Sequence, residues 1–406
     1  MNNWKLKFLV IWSGQAVSIL TSAVLQMGLI WHLTITTGSA LVLSLASVAG
    51  FLPMAVLGSF AGALVDRWNR KLTMIVADLF IATISLSLVI YALFAELPFW
   101  LIMAVLFLRS IGTAFHLPAI SAVTPLIVPE DSLTKCSGYT QSLQTLGYIA
   151  GASIAAILYP IWGVRGMVAL DVGGAVLAST AIAVVKIPSV AETTHEKSNN
   201  LLSEIKDGYK IIYDNKGLFS LLWIGAIFSF LYAPVNALFP LMSMNYFGGS
   251  TLYASIAEVA FSLGMFVGGI ILGLWGGFRN RGITMVLAIA LMGIAIGISG
   301  VLPVNGFIVF VILCVSMGFS APFYNGPHTA LMQEKISPEY LGRVFGLYGS
   351  LMSFALLLGL VVTGIFADIV GVNTWFLISG FIIFLLAMSA FLMPNVRNAD
   401  KEEHSV

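Results

Sequence analysis

Residues 62–71 read GALVDRWNRK. An apolar run ends there, charged and amide side chains crowd a short turn, and another apolar run begins. Hydrocarbon-compatible sequence on both sides places the turn at a membrane surface. Its Arg67, Arg70 and Lys71 mark that surface as cytoplasmic, because Lys and Arg gather in short loops on the inner side. A turn that only set orientation would need neither Gly62 nor Asp66, so the stretch carries more than topology.

Composition agrees. Hydrophobic residues make up 59% of the 406 positions and charged residues 9%, more apolar surface than a soluble domain of this size keeps from water. The chain therefore reads as an integral membrane protein, with the lipid bilayer as its surroundings. A net charge of +1 offers no basic face for nucleic acid. Cys136 falls in an expected cytoplasmic loop and Cys314 inside an expected helix, so neither a disulfide nor a metal cluster is expected, and no cofactor. The opening MNNWKLK mimics a secretory leader, but no small-residue cleavage site follows, which reads as a retained first helix.

A span needs about 20 apolar residues, and twelve runs qualify: near 8–34, 41–65, 72–94, 99–123, 137–160, 166–187, 218–242, 253–276, 283–302, 307–331, 342–367 and 373–394. An even number of spans with a cytoplasmic start puts both termini inside. All of the nineteen Lys and Arg except Arg109 and Arg165 then fall in cytoplasmic segments, and one miscounted helix early in the chain would destroy that asymmetry. The long polar interruption after residue 187 divides the chain. The expected parts are a six-helix bundle over 1–187, a cytoplasmic linker over 188–217, a second bundle over 218–394 and a cytoplasmic tail over 395–406. In the linker Leu201, Leu202, Ile205, Tyr209 and Ile212 recur at helical spacing, as in an amphipathic surface helix.

The halves repeat. A shift of 211 residues sets Gly62, Asn69, Arg70, Thr73, Met74 and Ala77 against Gly273, Asn280, Arg281, Thr284, Met285 and Ala288. Farther on, Pro129, Glu130, Leu133, Lys135 and Gly138 match Pro338, Glu339, Leu341, Arg343 and Gly346 with one residue deleted. The second copy of the opening motif has decayed, with Gly277 and Phe278 where Asp66 and Arg67 stand. The pattern G-x-L-x-D-R-x-x-R-K resembles the loop between the second and third helices of the major facilitator superfamily. That resemblance implies an all-α fold of twelve transmembrane helices in two pseudo-symmetric six-helix bundles, with substrate bound at mid-membrane. It also implies a gating role for Gly62, Asp66, Arg67, Arg70 and Lys71.

A charge at the centre of a lone spanning helix costs about 2.5 to 3.5 kcal/mol on insertion scales, so each one retained needs a reason. Asp78, Arg109, Asp171 and Glu258 are the candidates for proton coupling. Arg109, Thr113 and His116 share one face of the fourth span. Leu106 to Ala114, LFLRSIGTA, resembles the arginine-bearing signature of proton-coupled facilitators, with Ile111 replacing its glutamine; an Arg tying two helices through a buried carboxylate is the alternative. A carboxylate that exchanges protons needs partial burial and access to water, and Glu258 ranks ahead of Asp171 on that ground. An interfacial acid is the plainer reading, above all for Asp171, which lies near Arg165. Asp78 is expected to brace the Arg67–Lys71 turn, His116 to be a satisfied interior histidine, and His32 and His328 to lie too near helix ends to matter.

Uncharged polar stripes are wasteful against lipid and are expected to line a substrate cavity. They comprise Gln15, Ser18, Ser22 and Gln26; Gln141, Thr145 and Tyr148; Ser229, Tyr232 and Asn236; and Ser316, Ser320 and Tyr324. Thr113 and His116 belong with them. Aromatic and Met side chains among them suit a large amphipathic substrate. Gly147 and Gly151 lie in a stretch resembling the G-x-x-x-G-P signature of antiporters, with Ala152 in place of the proline; its small residues let helices approach closely.

The segments GQAVSILTSAVLQM (14–27), TGSALVLSLAS (37–47), LRSIGTAFHLPA (108–119) and QEKISPEYLGRVF (333–345) resemble the macrolide efflux branch of bacterial drug antiporters along most of the chain. The resemblance implies a monomeric exporter in the bacterial inner membrane, with a small-molecule drug and protons as its partners. An exporter or permease for another compound, such as a siderophore or metabolite, shares every one of these features. A membrane enzyme or an ATP-driven pump is disfavoured, since H-E-x-x-H, a nucleophile elbow and G-x-x-x-x-G-K-[ST] are all missing from the sequence. A channel differs in that it cannot move solute uphill.

Overall fold

The computed structural model describes residues 3–65, 68–187, 209, 213, 215–336 and 338–397. Among these residues it is all-helical, with eleven helices long and apolar enough to cross a membrane. They are α1 (Asn3–Thr37), α2 (Ala40–Val65), α3 (Arg70–Ala92), α4 (Phe99–Ile127), α5 (Glu130–Val184), α6 (Lys216–Ala237), α7 (Thr251–Trp275), α8 (Arg281–Val301), α9 (Phe307–Lys335), α10 (Pro338–Val370) and α11 (Val372–Leu392). The difference from twelve lies in α5. Its 55 residues would make an unbroken rod about 80 Å long against roughly 30 Å of hydrocarbon. Gly163, at φ 57° and ψ −167°, breaks the rod into two arms, one on each expected run. Only glycine adopts such a backbone without strain. Cys136, expected in a loop, is buried inside the first arm, because the helix starts earlier than the apolar run does.

Two compact units result: Met1–Gly38 with Leu45–His195, and Ser39–Ser44 with Glu196–Val406. In the first, α1 packs along α5, and α3 lies against α4 and α5. In the second, α6 packs on α10 and α11, α7 on α9, and α8 on α9 and α11. The first turn of α2 belongs to this second unit, where Asp368 accepts from Ser39 Oγ (2.6 Å), the Ala40 amide (2.5 Å) and the Leu41 amide (3.1 Å). The linker helix expected near 201–212 lies almost wholly outside the described residues.

The internal repeat has a local cause. Asn69 caps α3 by accepting from the Leu72 amide at 3.1 Å, and Asn280 caps α8 by accepting from the Ile283 amide at 3.0 Å. Thr73 and Thr284 each donate back to the capping residue's carbonyl, at 3.0 and 3.1 Å. A side-chain cap of this kind contributes about 1 kcal/mol, which gives both copies the same reason to keep Asn and Thr.

Close packing in the second unit depends on glycine. A Cβ on Gly264 would collide with the Val315 carbonyl, on Gly268 with the Phe319 carbonyl, and on Gly318 with the Phe261 carbonyl. The backbones of α7 and α9 therefore touch without side chains between them, where helix association rests on van der Waals contact. Gly318→Val should force these helices apart and cost about 3 kcal/mol, at the upper end for overpacking. Gly273→Val on the partner helix α7, where a Cβ meets nothing within 4 Å, is the control. Thermal melting of the two purified variants checks this, and equal melting temperatures would show that the glycine contact is dispensable.

Candidate functional site

Polar groups inside the first unit form two layers, because three helices each contribute residues seven positions apart, or two turns. One layer holds Ser22 of α1, Ser85 of α3, Arg109 of α4 and Asp171 of the second arm of α5. Arg109 pairs with Asp171 and also reaches Ser85. Ser85 donates to Asp171 Oδ2 at 3.0 Å and Ser22 to Oδ1 at 2.6 Å. Asp171 is 1% exposed and Arg109 7%, so this is a buried ion pair whose carboxylate is fully satisfied. Asp171 is thus enclosed by protein rather than exposed. Arg165 turns away from it to donate to the Ala92 carbonyl at the end of α3.

The other layer holds Gln15 of α1, Asp78 of α3 and His116 of α4. His116 Nε2 lies 3.1 Å from Asp78 Oδ1, close but poorly aimed, since that nitrogen makes no well-directed hydrogen bond. Gln15 donates to Oδ2 at 3.3 Å. Asp78 thus looks inward, toward Gln15 and His116. Arg70 donates instead to the Ala122 carbonyl (3.1 Å), and Lys71 to the carbonyls of Ala183 (2.7 Å) and Val185 (2.8 Å). The basic turn thereby fastens the start of α3 to α4 and to the last turn of α5, where a cation also meets the negative end of the helix dipole. Gly62 sits within α2; Asp66 and Arg67 lie outside the described residues.

Gly147 and Gly151 of α5 face α1. Added Cβ atoms would lie 2.8 Å from Ile19 Cγ2 and 2.6 Å from Ala23 Cβ, so these glycines permit the tight α1–α5 contact. Thr113 and Ser320 spend their hydroxyls on their own helices, donating to the carbonyls of Arg109 (3.0 Å) and Met317 (2.7 Å). Gln26 is half-buried. The side chains of Gln141 and Tyr148 lie outside what the structure describes.

The second unit treats its acid differently. Glu258 of α7 is half-buried and has no hydrogen-bond or ion-pair partner among the described residues. Tyr232 of α6 and Cys314 of α9 lie within electrostatic reach of it, and Asn236 holds the Tyr232 hydroxyl. The glycine contact explains this placement, since Glu258 and Cys314 precede Gly264 and Gly318 on the two helices that touch. From Tyr232 a row of rings continues. Phe228 stacks on Tyr232 (centroids 5.4 Å apart) and meets Tyr324 (5.2 Å); Tyr324 stacks on His328 (5.9 Å), which lies 4.4 Å from Tyr348. The Tyr324 and Tyr348 hydroxyls are 3.3 Å apart. Far from being marginal, His328 is 5% exposed and central to this row.

Sequence reasoning missed Ser85, Phe228, His328 and Tyr348. Three of them had a signal. Ser85 lies two turns from Asp78, and Phe228 and His328 lie one turn from the singled-out Tyr232 and Tyr324. Among the described residues no group of three His, Cys, Asp or Glu could hold a metal ion.

A family model described as Transmembrane secretion effector matches residues 5–406. Macrolide efflux protein A of Streptococcus pyogenes is 52% identical over 399 residues, covering 98% of each chain. Macrolide efflux protein A of Enterococcus faecalis is 51% identical over 323 residues, 80% of this chain and all of its own (100%). The fold is similar to the crystal structure of the nucleoside transporter NupG, at 13% identity and a TM-score of 0.73, covering 95% of this chain and 99% of that one.

Proposed function

The chain belongs to the Transmembrane secretion effector family of major facilitators, and on that premise we propose that it exports macrolide antibiotics from the bacterial cytoplasm in exchange for protons. The observation that carries the substrate is the 52% identity, across 98% of both chains, to a protein named for macrolide efflux. Proton exchange is supported by Glu258. A carboxylate in a spanning helix with no cation beside it is costly when ionised, so taking up and releasing a proton changes the energy of its surroundings most. Asp171 is already paired with Arg109. Lys and Arg distribution supports cytoplasmic termini, and the exporter works as a monomer.

Labelled macrolide accumulation in cells with and without the chain tests the reading. Expressing cells should hold several-fold less drug, and a protonophore should erase the difference. Equal accumulation in both would exclude macrolide export. A difference that survives the protonophore would exclude proton coupling.

A further inference from the structure

The N-terminus of α2 is capped from outside its own helix. Asp368 of α10 accepts from the Ala40 amide at 2.5 Å, the Leu41 amide at 3.1 Å and Ser39 Oγ at 2.6 Å. Ser39 Oγ in turn accepts from the Val42 amide at 3.3 Å. A helix start leaves its first amides without partners, and a carboxylate there also meets the positive end of the helix dipole. One side chain of a distant helix therefore supplies much of what holds this turn. That side chain is exposed, so water can take its place on the amides, which it cannot do at the buried Asp171. Beneath the cap the two helices meet over small residues. A Cβ on Gly364 of α10 would lie 3.0 Å from Ser44 Cβ and 3.3 Å from Leu41 Cα, a contact without interlocking side chains. It is also imperfect. Ser44 is 1% exposed, and its hydroxyl has no hydrogen-bond partner among the described residues. A buried polar group left unpaired penalises the closed contact.

We propose that Asp368 and Gly364 form a releasable clasp on the first turn of α2, closed in this conformation and opened in each transport cycle. This rests on the export reading and names a contact that breaks during it. With cytoplasmic termini this end of α2 is the outer one. Opening hands the Ala40 and Leu41 amides to water, hydrates the carboxylate and lets water reach the Ser44 hydroxyl; closing reverses these exchanges. Each lost contact is replaced by a solvent one, so the two states lie close in energy, as a switching element requires. Only the first turn of α2 belongs to the second unit, so release frees that turn without unpacking the rest of the unit.

Disulfide trapping tests it in the full-length chain with Cys136 and Cys314 replaced by Ala. Ser39→Cys and Asp368→Cys together put two thiols where the native side chains touch, within reach of a bond. A mild oxidant should join them, and cells carrying the joined protein should export labelled macrolide at least tenfold more slowly than the same cells after reduction. Either single variant should ignore the oxidant. Full export by the cross-linked protein overturns the clasp, since a permanent strut works equally well when covalent. So does failure of the thiols to join. Ser44→Cys gives a readout independent of export. With Asp368 intact it should react slowly with a membrane-impermeant maleimide added outside, and Asp368→Ala should speed that reaction fivefold or more. An unchanged rate overturns the clasp and leaves export standing. A wild type that does not export overturns the export reading; there, as with a reduced double variant that does not pump, the maleimide rates alone decide the clasp.

Discussion

Glu258→Gln is expected to abolish proton-driven export. In everted vesicles under an imposed pH gradient, drug uptake by this variant should fall at least tenfold, to the level of vesicles lacking the protein, with normal amounts in the membrane. The substitution keeps the side chain's shape and removes its single titratable proton, so the helix contact set by Gly264 and Gly318 is undisturbed. Membrane insertion should become slightly easier, because a neutral amide costs less in hydrocarbon than a carboxylate. Loss of export together with a gain or no change in thermal stability separates this acid from the ion-paired ones, whose removal should do structural damage. Full export by Glu258→Gln would remove the residue from coupling.

This contrast was only half visible in the sequence. The spans were legible because hydropathy and the need to satisfy every backbone group within a helix act locally. Repeated Asn and Thr at 69, 73, 280 and 284 were legible as a repeat, though their capping role needed the backbone. Charged residues stood out for the same local reason, since Asp78, Arg109, Asp171 and Glu258 interrupt apolar runs. Their partners did not. Arg109 and Asp171 are separated by 62 positions and Ser22 and Asp171 by 149, and no sequence period spans such distances. The seven-residue spacing repeated in Gln15 and Ser22, Asp78 and Ser85, and Arg109 and His116 is the trace the layers leave. A repeated interval on three helices becomes informative only once those helices are known to be neighbours. Asp78 was misplaced for that reason: proximity in sequence favoured the basic turn, whereas packing turned it toward α1 and α4.

Breaking the Arg109–Asp171 pair should be the most damaging change to the fold, and it also separates structure from coupling. Both groups are buried, so Arg109→Met or Asp171→Leu alone strands an uncompensated charge and should cost about 3 to 5 kcal/mol. The double variant Arg109→Met/Asp171→Leu strands none. Ser85 keeps a bond to the Ile81 carbonyl of its own helix at 2.9 Å, so its hydroxyl stays satisfied when both charges go. Unfolding of the purified variants in detergent should therefore show the double as more stable than either single, by about 2 kcal/mol or more, the sign of a strongly coupled pair. Additive losses would mean that the pair contributes nothing as a pair. The recovered stability makes the transport assay decisive. If Arg109 only ties α4 to α5, the double variant should export drug under a pH gradient at a rate near wild type. If it takes part in moving protons, as the resemblance of LFLRSIGTA to proton-coupled carriers implies, the double variant should be well folded, bind the macrolide, and fail to pump it.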